Sequence, residues 1–220
     1  MILLNDPRVA QVKCNENNEH IYTLREIHKK IVIDETKSQI GNPSELFCYA
    51  REGVIERLIK ATELLPEGYQ FVIKEAYRPL SLQKQFFEDA YQNYASQNSG
   101  LSDEKIYELT CQFVAPIKVA GHITGGAIDV TLMKNGKEID MGSAFNDAPV
   151  APENLAYTES SYISEEGKKN RKILIDCLEP VGFVNYPAEW WHWSYGDSYW
   201  GLMKQQNSCY APVDEHTINR

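Results

Sequence analysis

One stretch restricts the fold more than any other. Ala127 to Met133 alternates strictly, with Ile128, Val130 and Leu132 on one side and Ala127, Asp129 and Thr131 on the other. That two-residue period is the signature of a strand. Asn135-Gly136 follows directly. This pair is a strong hairpin signal because both central positions of such a turn need a left-handed backbone. Lys137 to Asp140 is then the returning strand, and the pairing must be antiparallel.

Upstream the periodicity changes. Leu46, Ala50, Val54, Leu58, Ala61 and Leu65 recur at steps of three and four. This predicts an amphipathic helix starting at Asn42-Pro43-Ser44, with Ser44 as its cap, and ending at Pro66 and Gly68. Gln70 to Tyr77 reads as a strand closed by Pro79, which cannot donate to a ladder. Helices are expected over Leu82 to Tyr94, with Phe86, Ala90 and Tyr94 on one face, and from Ser102 to about Val114. A loop over Gly142 to Ser164 leads into a helix from Glu165 to Leu178. Gly182 closes that helix, and Phe183 to Tyr195 forms the final strands. Helices come early, strands mostly later, and a hairpin replaces alternating βαβ units. The expected class is therefore α+β, a single domain with a central antiparallel sheet flanked by helices. The domain spans 1–220, with 1–43 as a wrapping extension containing one or two short strands (Lys30 to Ile33 among them) and 201–220 as a C-terminal tail.

Composition narrows the function. The 22 basic and 31 acidic residues give a net charge of −9, with no basic block. That lacks the footprint of a nucleic-acid or anionic-membrane binder. No apolar run reaches the roughly 18 residues of a membrane span. The start, Met1 to Ala10, has only a short apolar run, Met1 to Leu4, before Asn5-Asp6-Pro7, so no signal peptide is visible. The expected location is cytoplasmic, or periplasmic or secreted if a leader was trimmed. The five cysteines, scattered and odd in number, point to isolated thiols rather than a disulfide scaffold or a thiolate zinc site.

Two stretches are not explained by core packing alone. In Gly121-His122-Ile123-Thr124-Gly125-Gly126-Ala127-Ile128-Asp129, three glycines around a histidine mark a tight loop, and Asp129 interrupts an apolar strand. A carboxylate there is costly unless a cation or several donors satisfy it. A hydrogen-bonded strand aspartate beside a surface histidine is the simpler account. In Pro187-Ala188-Glu189-Trp190-Trp191-His192-Trp193, three indoles surround a glutamate and a histidine. Desolvation there raises a carboxyl pKa toward the range useful for proton transfer, although a packed aromatic cluster needs no chemistry. Together the stretches supply His122, Asp129 and His192, a donor set of the kind catalytic zinc takes, with the fourth position left for water. Glu189 stands three residues before His192. Side chains three apart on a regular strand face opposite ways, so a shared site requires a bend near Pro187. Arg78, aimed by the strand before it and by Pro79, suits a developing oxyanion or a substrate carboxylate. A surface ion pair is the alternative.

These motifs resemble the zinc D-alanyl-D-alanine dipeptidases, in a wider group with the D,D-carboxypeptidases and the hedgehog domain. The similar segments are Glu75-Ala76-Tyr77-Arg78-Pro79, Gly121-His122 through Asp129-Val130-Thr131-Leu132, Asp140-Met141-Gly142-Ser143, and Gly182 through Asp197 with its E-W-W-H core. They cover roughly Ser44 to Trp200. The resemblance implies that group's mixed α+β fold. It also implies one Zn²⁺ on His122, Asp129 and His192, Glu189 as base, Arg78 as transition-state stabiliser, and a small D,D-dipeptide as substrate. Two positions depart from the pattern: Ala120 replaces a frequent serine, and Asn146, followed by Asp147, stands where the group has an aspartate that meets the substrate ammonium. Asn146, Asp147 and Trp191 are thus the candidate substrate contacts. The residues 142–164 form either a wall or lid of the pocket or an ordinary surface excursion. The alternatives are a carboxypeptidase acting on longer peptidoglycan stem peptides, or a zinc-bearing domain without catalysis, which Glu189 argues against.

Overall fold

A computed structural model describes residues 1–37, 40–111, 114–147 and 153–218. The far end of the expected third helix at 112–113, the loop positions 148–152 and the last two residues of the tail lie outside the described residues.

The chain runs α1 (Pro7–Ala10), β1 (Ile21–Thr23), β2 (Ile31–Ile33), β3 (Tyr49–Arg51), α2 (Glu52–Ala61), β4 (Tyr69–Glu75), α3 (Leu80–Gln97), α4 (Asp103–Thr110), β5 (Ala127–Lys134), β6 (Lys137–Glu138), α5 (Glu165–Leu178), β7 (Val184–Asn185), β8 (His192–Ser194) and α6 (Ser198–Met203). One sheet has the order β2-β4-β5-β8-β7, with β6 paired to β5, and β1 and β3 form a separate antiparallel ribbon. The β5–β6 hairpin turns at Asn135 and Gly136, whose φ values are +51° and +80°.

The α+β class stands, with one correction to the sheet. It is mixed, because β2 pairs with β4 in parallel. A parallel neighbour needs a crossover of a dozen or more residues, usually carrying a helix, and the segment holding α2 is that crossover. A second difference concerns the helix expected from Ser44. It begins only at Glu52, although Leu46 and Ala50 are buried as the period requires. Ser44 turns the chain instead: its Oγ accepts from Leu46 N at 3.1 Å, and Asn42 Oδ1 accepts from Ser44 N at 3.0 Å. The Phe47 carbonyl then accepts from Ala76 N, and Arg51 N bonds Gly125 O. Ties to β4 and to the loop before β5 override the local helical pattern.

Ile128, Val130 and Leu132 are wholly buried and join Val54, Leu58 and Leu174 in the main core. Each such side chain contributes roughly 1.5–3 kcal/mol through burial. The opposite side of β5 therefore carries Asp129 on a strand that the core holds rigid. The two ends of the chain meet: Asn15 N bonds Ser208 O and Asn17 N bonds Cys209 O. All five cysteines are free, three of them buried. No helix among the described residues is long and apolar enough to cross a membrane.

Candidate active site

Sheet register brings the candidate residues together. Asp129 on β5 pairs with His192 on β8 and, across a bulge, with Glu75 at the end of β4. His192 Nδ1 lies 2.9 Å from Asp129 Oδ1, and His122 Nε2 lies 3.3 Å from the same oxygen. The two imidazoles stand edge to face with centroids 4.8 Å apart. One ligand atom from each of His122, Asp129 and His192 lies within 4.8 Å of the others.

The loop ahead of β5 is built for this. His122 opens a single 3₁₀ turn, His122–Thr124, closed by Gly125 at φ +70°, a backbone that side chains other than glycine's rarely adopt. At Gly121 any side chain would collide with the Asp197 carboxylate. His122 Nδ1 bonds the Ala76 carbonyl at 2.6 Å. A carbonyl only accepts, so Nδ1 carries a proton, and Nε2 is the nitrogen left to face a metal ion beside Asp129. The Asp129 carboxyl is buried, which alone would raise its pKa, but the two histidines outweigh burial and hold it well below the usual range. Burial likewise pulls His192 down, and its bond to Asp129 more than reverses this. His192 Nε2 is buried with no hydrogen-bond partner among the described residues, and the His192 ring lies within electrostatic reach of Asp197. Two imidazole nitrogens converging on a buried carboxylate oxygen fit a borderline divalent cation such as zinc.

The bend required near Pro187 is present. Glu189 N bonds Tyr186 O and His192 N bonds Glu189 O, two successive turns between β7 and β8. Glu189 Oε2 thereby comes within 3.9 Å of His192 Nδ1. Asn185 staples the bend, its Nδ2 donating to the carbonyls of Glu189 and His192. Burial raises the Glu189 pKa, Asp129 adds to the rise, and His192, His122 and Arg78 oppose it.

Arg78 reaches the same cavity. Its Nε and Nη2 grip Glu75 and its Nη1 bonds Gln83 Oε1 at 2.8 Å. Asn42 supports Glu75 from behind with a 2.8 Å bond. Phe86 lies beneath the guanidinium at 5.1 Å. Gln83 and Asn42 are commonplace polar residues in sequence; only burial marks them.

Arg78, His122, Asp129, Glu189, His192 and Trp191 face one cavity of about 280 Å³. Asn146 lines it too, with Phe145 packed edge-on against Trp191 at 5.4 Å. That part of the 142–164 loop is a wall of the cavity. Asp147 is placed differently: its Oδ2 accepts from Ala144 N at 2.9 Å and caps its own turn. The wall is tied down from outside the cavity. Trp190 Nε1 bonds Ser143 Oγ, and Arg171 on α5 bonds the carbonyls of Met141, Leu155 and Tyr157 as well as Ser143 Oγ. An arginine on a helix stripe gives no sequence signal of such a role.

D-Alanyl-D-alanine dipeptidases of Synechocystis sp. and Escherichia coli are each 28% identical to the chain, over 71% of it and 72% of the former and over 77% of it and 79% of the latter. That of Enterococcus faecium is 30% identical over 64% of the chain and 70% of its own length. Among solved structures, the vancomycin-resistance D,D-pentapeptidase VanY in complex with Zn(II) aligns with a TM-score of 0.47 and 14% identity over 94% of each chain. The family model described as D-Ala-D-Ala dipeptidase matches residues 25–213, which include every cavity-lining residue except Leu4. The chain belongs to this D-Ala-D-Ala dipeptidase family, and it is a metallopeptidase.

Proposed function

We propose that this chain hydrolyses the D-alanyl-D-alanine dipeptide to two D-alanines with one zinc ion held by His122, Asp129 and His192. The observation that carries the reading is that these three donors, Glu189 and Arg78 all face one cavity of about 280 Å³. That volume sits at the small end of ligand sites and favours a dipeptide over a long stem peptide. Zinc in such a site lowers the pKa of a bound water toward 7 and polarises a carbonyl.

The chain's own groups supply the rest. Glu189, kept basic enough by burial, takes the proton of the attacking water and returns it to the departing amine. Arg78 spends three of its five N–H groups on Glu75 and Gln83, leaving the remainder for charge that builds on the carbonyl oxygen. The Ala76 carbonyl fixes the His122 tautomer, so Nε2 stays a ligand rather than a donor. Trp191 and Phe145 form an apolar side that limits water near Glu189.

The test is a substrate panel on zinc-loaded protein: D-Ala-D-Ala, its L,D and L,L counterparts, and acyl-D-Ala-D-Ala peptides. Release of free D-alanine from the D,D-dipeptide is expected. Turnover confined to the acylated peptides would replace this reading with a carboxypeptidase.

A further inference from the structure

We propose that Asp89 on α3 is the counter-ion for the free ammonium group of the substrate, and that it selects free dipeptides over N-acylated ones. The inference rests on the dipeptidase reading and adds the residue that enforces it.

A dipeptide carries its ammonium on the carbon next to the scissile carbonyl. Wherever that carbonyl meets Arg78 and the metal ligands, the ammonium must lie in the same cavity. A cation entering beside a guanidinium and a divalent ion is repelled unless a carboxylate offsets the charge. Among the described residues four carboxylates line the cavity: Glu75, Asp89, Asp129 and Glu189. Glu75 is committed to Arg78 and Asn42. Asp129 is shared by two imidazoles, and Glu189 is the proton carrier. Asp147, the acid nearest Asn146 in sequence, is turned away as a cap. Asp89 alone has no hydrogen bond or ion pair within the described structure, and it is exposed at the cavity rim.

Its position follows from the helix. Phe86 and Asp89 are three residues apart on α3, so they share a face, about 4.5 Å apart along the axis. Phe86 lies under the Arg78 guanidinium, so Asp89, which lines the same cavity, stands one turn beyond the arginine. Asn146, which also lines the cavity, can orient the ammonium but carries no charge to neutralise it. An N-acylated substrate would set a neutral amide against Asp89 and strip it of water without a cation in return. This is discrimination by an unpaired charge.

The experiment compares full-length, zinc-loaded wild type with Asp89→Asn on D-Ala-D-Ala and on N-acetyl-D-Ala-D-Ala. Asp89 has no partner to lose, so the substitution leaves Tm unchanged. The expected result is a KM for the free dipeptide raised about tenfold or more with kcat little altered, the pattern of lost ground-state binding. Activity on the N-acetyl compound is expected to hold or rise. An unchanged KM overturns the inference while leaving the dipeptidase reading in place. An equal loss on both substrates also overturns it, because it would mark a general disturbance of α3. Wild type that does not cleave the free dipeptide at all removes the dipeptidase reading and the inference with it.

Discussion

Arg78 and Arg171 are both largely withdrawn from water, and they are used in opposite ways. Arg171, 1% exposed, directs four hydrogen bonds at three carbonyls and the Ser143 hydroxyl. Among the described residues no carboxylate is bonded to it, and burial pulls its pKa down to about 10. Arg78 has a carboxylate in its grip. Burial lowers its pKa, but the Glu75 charge and bonds more than compensate, so it ends raised. Its side chain keeps 15% exposure, and that part faces the cavity. An arginine whose donors are used up on backbone is a fastener. One pinned by an acid on one edge, with N–H groups left over on the other, is a charge made ready for something that arrives.

Paired Arg→Lys substitutions put that contrast under strain. Lysine keeps the charge but loses the planar fork. Arg78→Lys is expected to lower kcat about 100-fold or more, the usual cost of one lost oxyanion donor, with a small change in Tm because Glu75 retains a cation. Arg171→Lys is expected to leave at least one buried acceptor unpaired, at roughly 1–3 kcal/mol. In a chain of this size that corresponds to a Tm lower by about 2–12 °C, with a modest effect on kcat. Thermal melts and steady-state kinetics on both variants decide it. Either arginine showing the other's phenotype would collapse the distinction.

Lys74 sharpens the comparison with a third arrangement. It is 3% exposed and bonded to Asp34 at 2.8 Å and Glu138 at 2.6 Å, a cation cancelled on two sides. Burial raises the Asp34 pKa, while Lys74 and Thr36 outweigh it, so the folded-state value is depressed. A depressed carboxyl stabilises the fold above its unfolded pKa of about 3.9, and that contribution is lost as pH falls through the folded value. Melting wild type and Asp34→Asn between neutral pH and pH 3 should show a gap in Tm that is present at neutral pH and narrows below about pH 4. A gap that stays constant would mean the Asp34 charge is not what Lys74 needs. This is the smallest of the expected effects.

Much of the site was readable one segment at a time. The β5 alternation placed Asp129 opposite the core-facing Ile128 and Val130, and the glycines around His122 marked a turn with no room for side chains. The demand for a bend between Pro187 and His192 followed from strand geometry, and the two turns after Tyr186 meet it. What stayed hidden were the supports. Glu75 and Gln83 orient Arg78, Asn185 staples the bend and Arg171 fastens the wall. Each is a polar residue whose role depends on how the folded chain turns: Glu75, Gln83 and Asn185 meet partners three to seven residues away across a bend, and Arg171 meets partners 14 to 30 residues away. The helix expected from Ser44 failed for a related reason: its apolar period was correct about burial, but contacts with β4 and Gly125 chose a turn and a strand instead.

From its residues alone, this chain determined most of its helices and strands, where its hairpin turns, and which imidazoles and carboxylates have the chemistry of a metal-assisted peptidase. Those properties depend on backbone preference and burial within a few neighbouring residues. Only the tertiary structure decided that β2 lies parallel to β4, that Asp147 caps a turn while Asp89 faces the cavity, and which arginine keeps donors to spare. Such outcomes are set by sheet register and by which of several available partners the folded chain brings within reach, and no local pattern encodes that choice.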